Sequence, residues 1–421
     1  MTVKKTKIAI IGSGISGLTC AYLLDKDNDV TVLEKNDYVG GHTATVDIEH
    51  QGSQFAIDTG FIVFNDRTYP NFNRLLSDLG VERQATEMSF SVHNKQTKFE
   101  YNGHGINSLF AQRRNVFRPK FWQLIIQIIK FNKLCKQAFH NDDIEQKSTL
   151  GDFLSQHNFS DFFCEHYILP MGAAIWSTSL KEMKQFELKF FVQFFYHHGL
   201  LNIVDRPQWF VIPGGSRTYV EAIQAKLSKP IETGCSILNV SRGEQGVTIT
   251  LTNGEQRVFD HVIFSCHSDQ ALNLLADPTR DEFDVLSGIP YSRNEVVLHT
   301  DTRLLPDRKL AWASWNYMLD GDLSSPSCVT YNMNILQGLK SDDTFCVTLN
   351  QSDAIAPEKV IRRFIYHHPV LDDKSVKAQK KRDLICGKNG CHFVGAYWYS
   401  GFHEDGVRSA LDVTKRFGQS L

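Results

Sequence analysis

The chain has 421 residues, of which 42% are hydrophobic and 22% are charged, and its formal net charge is −2. This composition is typical of a folded globular protein, and the length allows two domains or one large interleaved fold. The charge lacks the strong basic excess that is usual in nucleic-acid-binding domains, so no nucleic-acid partner is predicted.

Nine cysteines are dispersed along the chain, and none belongs to a C-x-x-C pair. This pattern predicts reduced thiols and no metal site. The doubled histidines at 197–198 and 367–368 have no further ligand nearby in the sequence, and we interpret them as isolated.

Two features bear on localisation. Lysines precede the first apolar run, as in a secretion signal, but a glycine motif that signal processing would destroy follows at once. The longest apolar segments are interrupted by polar residues before they reach the length of a membrane-spanning helix. A cytoplasmic protein is therefore expected.

The first predicted element is a buried parallel strand over "KIAII" at 7–11, followed by "GSGISG" and a helix. Its glycines match G-x-G-x-x-G: the first allows a tight bend, the second lets a pyrophosphate approach the backbone, and the third lets helix and strand pack closely. The predicted diphosphate-binding residues are Gly12, Ser13, Gly14, Ile15, Ser16 and Gly17.

A second strand, "DVTVLE", ends at Glu34. A carboxylate at this place binds the ribose hydroxyls of the adenosine half and disfavours a 2′-phosphate, so NADP is not predicted here. Lys35 follows, and Gly40, Gly41 and His42 come next.

The spacing from Glu34 to Gly40-Gly41-His42 resembles the E-x5-G-G-[RH] extension of the flavin-containing amine oxidase superfamily, which includes protoporphyrinogen oxidases and phytoene-desaturase-type enzymes. Stretches such as "DTGFIVFNDRTYPN" and "GFHEDG" are particularly similar to bacterial NAD/FAD-binding, amine-oxidase-like proteins. The resemblance implies an α/β fold in which a Rossmann-type FAD-binding domain is interleaved with an α+β substrate-binding domain, as in glutathione-reductase-2-like proteins. It also implies FAD as the cofactor, and the absence of cysteine from the closing motif favours non-covalent attachment.

The same resemblance assigns further cofactor contacts. A hairpin around Gln51-Gly52-Ser53 is predicted to return "DTGF" to the cofactor, and the closing motif "YWYSGFHEDGVRSAL" to cap the isoalloxazine with a helix N-terminus. The contacts expected are Lys35, Gly40, Gly41, His42, Thr43, Thr59, Gly60, Phe61, Ile237, Val240, Gly395, Glu404, Gly406 and Val407.

The predicted domain organisation follows the order of these segments. FAD-binding parts are expected at 1–75, 211–285 and 386–421. Substrate-domain parts are expected at 76–210 and 286–385.

The segment 120–139 has a helical pattern with two interpretations. Polar residues at 123, 127, 130 and 137 are predicted to lie on one face, opposite Trp122, Leu124, Ile125, Ile128, Ile129 and Leu134. A surface helix packed on a core is one interpretation. The other is a peripheral membrane contact through 105–140, because residues 101–141 include seven Lys or Arg and no Asp or Glu.

Phenylalanines are dense in 186–195, and Trp209 and Phe210 follow. Such density is typical of a hydrophobic core, but a pocket for an apolar substrate would be lined in the same way. The sequence is compatible with both.

Tyr399, His403 and Glu404 are the candidate catalytic residues because they surround the closing motif. Each has a structural alternative: core packing for the tyrosine, a satisfied loop position for the histidine, and helix capping for the glutamate. Amine oxidases of the superfamily place a lysine near the flavin, and the corresponding stretch, "YSRNEVVLHTD", has none.

Three functions are compatible with the sequence. The first is an FAD-dependent oxidoreductase that oxidises, desaturates or isomerises an apolar substrate, such as a fatty-acyl or lipid chain, by hydride transfer to flavin N5. The second is an amine oxidase that produces hydrogen peroxide, and the third is a non-redox flavoprotein. The sequence leaves open the substrate, the electron acceptor and the oligomeric state.

Overall fold

A computed structural model describes residues 5–141, 144, 148–325 and 327–421. Its strands are β1 Lys7–Ile11, β2 Asp29–Leu33, β3 Thr45–His50, β4 Ser53–Asp58, β5 Phe64–Asn65, β6 Gln84–Thr86, β7 Phe90–Asn94, β8 Phe99–Asn102, β9 Trp209–Val211, β10 Ile237–Gly243, β11 Gly246–Leu251, β12 Gln256–Phe259, β13 His261–Phe264, β14 Tyr291–His299, β15 Trp315–Leu319, β16 Val329–Asn332, β17 Cys346–Leu349, β18 Val360–Pro369 and β19 Cys391–Phe393.

The α-helices are α1 Ile15–Leu24, α2 Pro70–Leu79, α3 Ile106–Leu109, α4 Pro119–Asn141, α5 Leu150–Gln156, α6 Asp161–Phe163, α7 Leu169–Trp176, α8 Leu180–Lys184, α9 Leu188–His197, α10 Arg217–Gln224, α11 Ser268–Leu274, α12 Arg280–Leu286, α13 Met333–Leu336, α14 Asp373–Gln379, α15 Arg382–Ile385 and α16 His403–Thr414. A π-helical turn, Cys164–Ile168, joins α6 to α7.

One sheet is parallel and has the strand order β19-β13-β1-β2. Its central strand β1 buries every residue after Lys7, as expected for a strand covered on both faces. The predicted strand at 7–11 is therefore confirmed. Because all four strands run the same way, the turns that follow them meet at one edge of the sheet, which is where ligands of such folds bind.

A second sheet has seven strands in the order β18-β14-β17-β16-β15-β7-β8. Its pairings are antiparallel except for the parallel pair β15–β7. Helices α4–α9 enclose an aromatic core beside it, with Phe121, Phe131, Phe163, Phe191 and Phe195 fully buried.

The chain passes between the two sheets several times, since β7 and β8 come between β2 and β13, and β14–β18 come between β13 and β19. The predicted class, an α/β nucleotide-binding domain interleaved with an α+β domain, is confirmed. The predicted hairpin is confirmed as well, with β3 paired to β4 and His50 opposite Ser53. The domain boundaries stay predictions.

Helix α4 differs from its predicted faces. Gln127 is buried and accepts a hydrogen bond from the Ser160 hydroxyl at 2.7 Å, whereas Trp122 and Ile129 are exposed. The helix carries apolar residues on every side, so the sequence left its rotation ambiguous. The hydrogen bond to the N-cap of α6 and the packing of Phe121 and Phe131 set that rotation.

Candidate cofactor and substrate cavity

A cavity of about 930 Å³ extends from the edge of the parallel sheet to the seven-stranded sheet. One part, here called the nucleotide half, is formed by the turns after β1, β2 and β13, together with Gly40–His42 and Ile237. The other part, the apolar half, is lined by Tyr101, Tyr167, Met171, Ile175, Trp176, Phe194, Val296, Trp315, Tyr331, Leu349 and Ile365.

The three glycines of the first motif have distinct geometric roles. Gly12 has φ +101°, and a Cβ there would lie 2.9 Å from the Ser265 carbonyl oxygen. A Cβ at Gly17 would lie 2.2 Å from the Gly12 carbonyl oxygen, so this position admits only glycine. At Gly14, no described atom lies within 4 Å of such a Cβ, so its free side faces the cavity and leaves room for a ligand against the backbone.

Glu34 organises the turn around these glycines. Its carboxylate accepts hydrogen bonds from the Ser13 hydroxyl at 2.6 Å and from the Ser13 backbone N–H at 2.9 Å. The Gly40 N–H donates to the same hydroxyl oxygen at 3.2 Å. Gly41 has φ +60°, and its Cβ position is 3.1 Å from the Gly14 Cα, so the two glycine segments lie directly against each other.

Several polar groups of the cavity wall are free to meet a ligand. Within the described residues, four lining side chains have a buried polar atom without a hydrogen-bond partner: His42 Nε2, Ser265 Oγ, Trp176 Nε1 and Tyr397 Oη. The N-terminus of α1 likewise receives no side-chain cap from the described chain. An elongated ligand with a diphosphate at the α1 N-terminus, and a ribose whose hydroxyls donate to the Glu34 carboxylate, fits the polar groups of the nucleotide half.

Histidines from three segments meet in the cavity. The ring of His42 lies 6.0 Å from that of His267 and 5.7 Å from that of His368, and His367 also lines the wall. Burial lowers the pKa of His267 and of His368 to about 3, with the neighbouring histidines adding to the effect. The interpretation of His367 and His368 as isolated is therefore wrong, because in the folded protein they lie near His42 and His267. No described group of His, Cys, Asp and Glu has the arrangement of a metal site.

His403 closes the wall at the start of α16. Its ring stacks on Phe61 with centroids 3.7 Å apart, and its Nε2 is 2.8 Å from the Tyr219 hydroxyl, which also hydrogen-bonds Thr43 Oγ1. Burial lowers the pKa of His403 to about 3, with His42 as a second cause. A neutral imidazole, fixed by stacking and by a buried hydroxyl chain, therefore faces the cavity.

The other two candidate catalytic residues point elsewhere. Glu404 accepts hydrogen bonds from the backbone N–H groups of Asn71 (3.1 Å) and Phe72 (2.8 Å), so it caps the N-terminus of α2. Burial raises the pKa of Glu404, and these hydrogen bonds oppose the rise. The Tyr399 hydroxyl donates to Asp412 Oδ2 at 2.5 Å. Neither Glu404 nor Tyr399 lines the cavity.

The predicted cap residues of α16 are also displaced. The Gly406 N–H donates to the Phe402 carbonyl oxygen at 3.1 Å, and a Cβ at Gly406 would lie 2.6 Å from Ile15 Cγ2. This glycine thus permits close packing of α16 on α1. Gly406 and the fully buried Val407 lie behind the wall, and Gly401, Phe402 and His403 form it.

The remaining predicted contacts divide in the same way. Those that line the cavity are Ser13, Ile15, Ser16, Lys35, Thr59, Gly60, Phe61, Ile237 and Gly395. Gly17, Thr43 and Val240 do not line the cavity and lie behind its wall. Val240 is fully buried in the core of the parallel sheet because its strand packs inward at that position.

Sequence reasoning missed most of the apolar half. Tyr101 and Tyr167 come from separate elements, and Tyr331 and Ile365 from two further strands. Among the missed residues only the histidine doublet in β18 had a visible signal. On β14, Val296 lines the cavity. The neighbouring Glu295 forms an ion pair with Arg293 and does not line it, so β14 contributes an apolar side chain and no acid to the cavity.

Comparisons with known proteins agree with this architecture. The sequence model of the family described as "Flavin containing amine oxidoreductase" matches residues 15–336. The L-amino acid dehydrogenase of Synechocystis sp. is 23% identical over 257 residues, covering 58% of this chain and 53% of that protein. The 15-cis-phytoene desaturase of Synechococcus elongatus is 35% identical over 94 residues, covering 22% and 19%. The chain thus spans about half the length of the first relative and about a fifth of the second.

Solved structures share the fold over nearly the whole chain. A CLA-producing fatty acid isomerase from P. acnes has a TM-score of 0.69 at 15% identity, covering 99% of this chain and 100% of that one. Cyclohexylamine oxidase from Brevibacterium oxydans has a TM-score of 0.66 at 14% identity, covering 98% and 100%. The family match, the parallel sheet with its glycine turn and the polar groups of the nucleotide half agree, and the chain belongs to the flavin-containing amine oxidoreductases.

Proposed function

We propose that the protein oxidises, desaturates or isomerises an apolar substrate, such as a fatty-acyl or lipid chain, with non-covalently bound FAD. The observation that carries the proposal is the apolar half of the cavity, which is continuous with the nucleotide half. When bound, FAD supplies the two-electron acceptor that takes a hydride at N5.

The side chains of the apolar half support an uncharged substrate. Ile175, Val296 and Leu349 line it together with aromatic rings, and Glu34, in the nucleotide half, is the sole acid among the described lining residues. A cationic amine entering the apolar half would meet no carboxylate there. An alkyl chain would exchange water for apolar contact along its length.

The chain's own residues have two tasks in this proposal. Trp176 and Phe194 exclude water from the reacting carbon, and the Trp176 N–H has no described partner, so it can bind an acceptor atom of the substrate. His403 presents a neutral imidazole held at its Nε2 by Tyr219. The neutral His403 imidazole makes a polar contact that orients the ligand, and it adds no positive charge to the cavity.

Two relatives support this substrate class by their names: a phytoene desaturase in sequence and a fatty acid isomerase in fold. Others favour amines, since an L-amino acid dehydrogenase and a cyclohexylamine oxidase are similar as well. The alternatives of an amine oxidase that releases hydrogen peroxide, and of a non-redox flavoprotein, are therefore built into the test.

The test is anaerobic reduction of the bound flavin, which is monitored through the loss of its visible absorbance. Purified holo-protein is mixed with a panel of fatty acids, acyl lipids and polyenes and with a panel of mono-, di- and polyamines. We expect apolar compounds to bleach the flavin or to be isomerised with the flavin spectrum perturbed. Bleaching by amines alone would establish the amine oxidase, and no response to any compound would favour the non-redox flavoprotein.

A further inference from the structure

A surface outside the cavity exposes an unusual number of large apolar side chains. Phe117 is 87% exposed, Ile106 81% and Ile126 63%. Single exposed apolar residues are common, but a group within one short segment indicates an interaction site. We call this group the apolar patch; its members are Ile106, Val116, Phe117, Trp122, Ile126 and Ile129.

Direct contacts join the parts of the apolar patch. The Trp122 indole N–H donates to the Val116 carbonyl oxygen at 2.8 Å, and the Trp122 ring lies 5.6 Å from that of Phe110. The Arg113 guanidinium donates to Asn107 Oδ1 at 2.7 Å, which ties α3 to the turn before α4. The exposed residues of α3, this turn and α4 therefore form one continuous surface.

Helix α4 continues the surface as a stripe. At 100° per residue, Trp122, Ile126, Ile129, Lys133 and Lys136 fall within a sector of about 80°. The opposite side of the helix is fixed by its buried residues, Phe121, Leu124, Phe131 and Cys135. The stripe therefore faces outwards, with apolar side chains in its N-terminal part and lysines in its C-terminal part.

The segment that carries the apolar patch has charged side chains of one sign. Residues 101–141 include seven Lys or Arg and no Asp or Glu. In the part of the chain that the structure describes, no ion pair involves Arg113, Arg114, Arg118, Lys120, Lys133 or Lys136. Arg113, Arg114, Lys120 and Lys133 are also exposed, so these four cations are available to an external anionic surface.

We propose that the apolar patch and its cations dock the protein onto an anionic lipid surface. Apolar and aromatic side chains surrounded by Lys and Arg are what an interfacial membrane contact requires. A second copy of the chain is disfavoured, because a two-fold contact through this surface would place the two sets of cations together. The contact is peripheral, since no described helix is long and apolar enough to cross a bilayer.

The position of the patch connects it to the cavity. Gly103 lines the cavity and is exposed, and it precedes Ile106 by three residues. Docking through the patch would thus turn this edge of the cavity towards the lipid. Membrane docking is independent of the proposed reaction. Its test measures only vesicle binding, so the docking proposal and the proposed reaction can fail separately.

The test is flotation of the flavin-loaded protein with vesicles of phosphatidylcholine alone or mixed with phosphatidylglycerol. We expect binding to the mixed vesicles that weakens as salt is raised. Phe117→Ser/Ile126→Ser should weaken binding at least about tenfold through lost apolar burial. Arg113→Gln/Arg114→Gln should weaken it and reduce its salt dependence.

Controls keep the result interpretable. Phe283→Ser removes another half-exposed phenylalanine, from the acid-rich helix α12, and should bind like the wild type. Each variant must retain its flavin and its melting temperature. Absence of vesicle binding by the wild type at low salt would overturn the proposal. So would equal loss in the Phe283 control, or a dimer that only the patch variants dissociate.

Discussion

The two halves of the cavity are built in opposite ways. The nucleotide half is formed largely by backbone: glycines at 12, 14, 40 and 41 let chain segments approach each other and the ligand. The apolar half is formed by side chains from helices and strands that lie far apart in the sequence. The first half therefore depends on backbone geometry, and the second depends on contacts between distant segments.

Filling the nucleotide half should have the largest effect. In Gly14→Val, the new side chain would occupy space next to the α1 N-terminus; its Cβ would have no described atom within 4 Å apart from those of the chain neighbours, so the fold should persist. FAD binding should weaken by about 100-fold, which is about 3 kcal/mol of steric overlap. Flavin content and FAD titration measure it, and Gly243→Val, at an exposed strand position, is the matched control. Full flavin content in Gly14→Val would contradict the assignment of this half.

A charge in the apolar half should have the next largest effect. Ile175→Asp places a carboxylate among apolar and aromatic side chains, where its desolvation opposes the binding of an alkyl chain. Anaerobic flavin reduction by the apolar substrate should slow by about tenfold or more, which is about 1.4 kcal/mol, with unchanged flavin content. Ile361→Asp, on the exposed side of β18, should behave like the wild type. Loss of flavin in Ile175→Asp alone would show that the halves are not separate in function.

Acid should destabilise the fold through the histidines where the halves meet. The pKa of His403 falls from its ordinary value of 6.5 to about 3 on burial, so the unfolded chain takes up its proton first as the pH falls. The free energy of unfolding should therefore decrease between pH 6.5 and pH 3, by about 1.4 kcal/mol per pH unit for each such histidine. Denaturant unfolding at several pH values measures the slope.

His403→Gln should reduce the pH dependence of the free energy of unfolding by the contribution of one histidine, about 1.4 kcal/mol per pH unit. Phe402→Leu changes the adjacent cavity residue without removing an imidazole and should keep the wild-type slope. An unchanged slope in His403→Gln would mean that this imidazole is not held neutral.

Glu404→Gln should have the smallest effect, because this residue caps α2 and does not reach the cavity. Loss of the charge at that helix N-terminus should lower the free energy of unfolding by about 1 kcal/mol. The rate of flavin reduction should stay at the wild-type value, and Tyr399→Phe should leave it unchanged too. A large fall in that rate, with stability intact, would restore Glu404 as a candidate catalytic residue.

The sequence predicted the first part of the nucleotide half, around the glycine turn, because the geometry there is local. The strand, the glycine turn and Glu34 lie within 28 residues, and each glycine is needed for a close approach that can be deduced from its position in the motif. The error came at α16, where the prediction placed Gly406 and Val407 at the cap. Packing of Gly406 against Ile15 shows that the helix is rotated so that Phe402 and His403 meet the cavity.

The apolar half could not be predicted in the same way. Its residues come from α7, α9 and several strands of the seven-stranded sheet, and their meeting depends on pairings such as β14–β18. The same reason explains the rotation of α4, which a hydrogen bond to Ser160 fixes from outside the helix. Contacts between distant segments leave no periodic pattern in the sequence.

A crystal structure of the protein purified with its flavin is the most direct test of the two-half cavity. We expect the adenosine near Glu34 and Ile237, and the isoalloxazine between Gly401–His403 and the apolar half, with open space beyond it for a substrate. A flavin bound elsewhere, or an isoalloxazine ring that does not border the apolar half, would contradict the account.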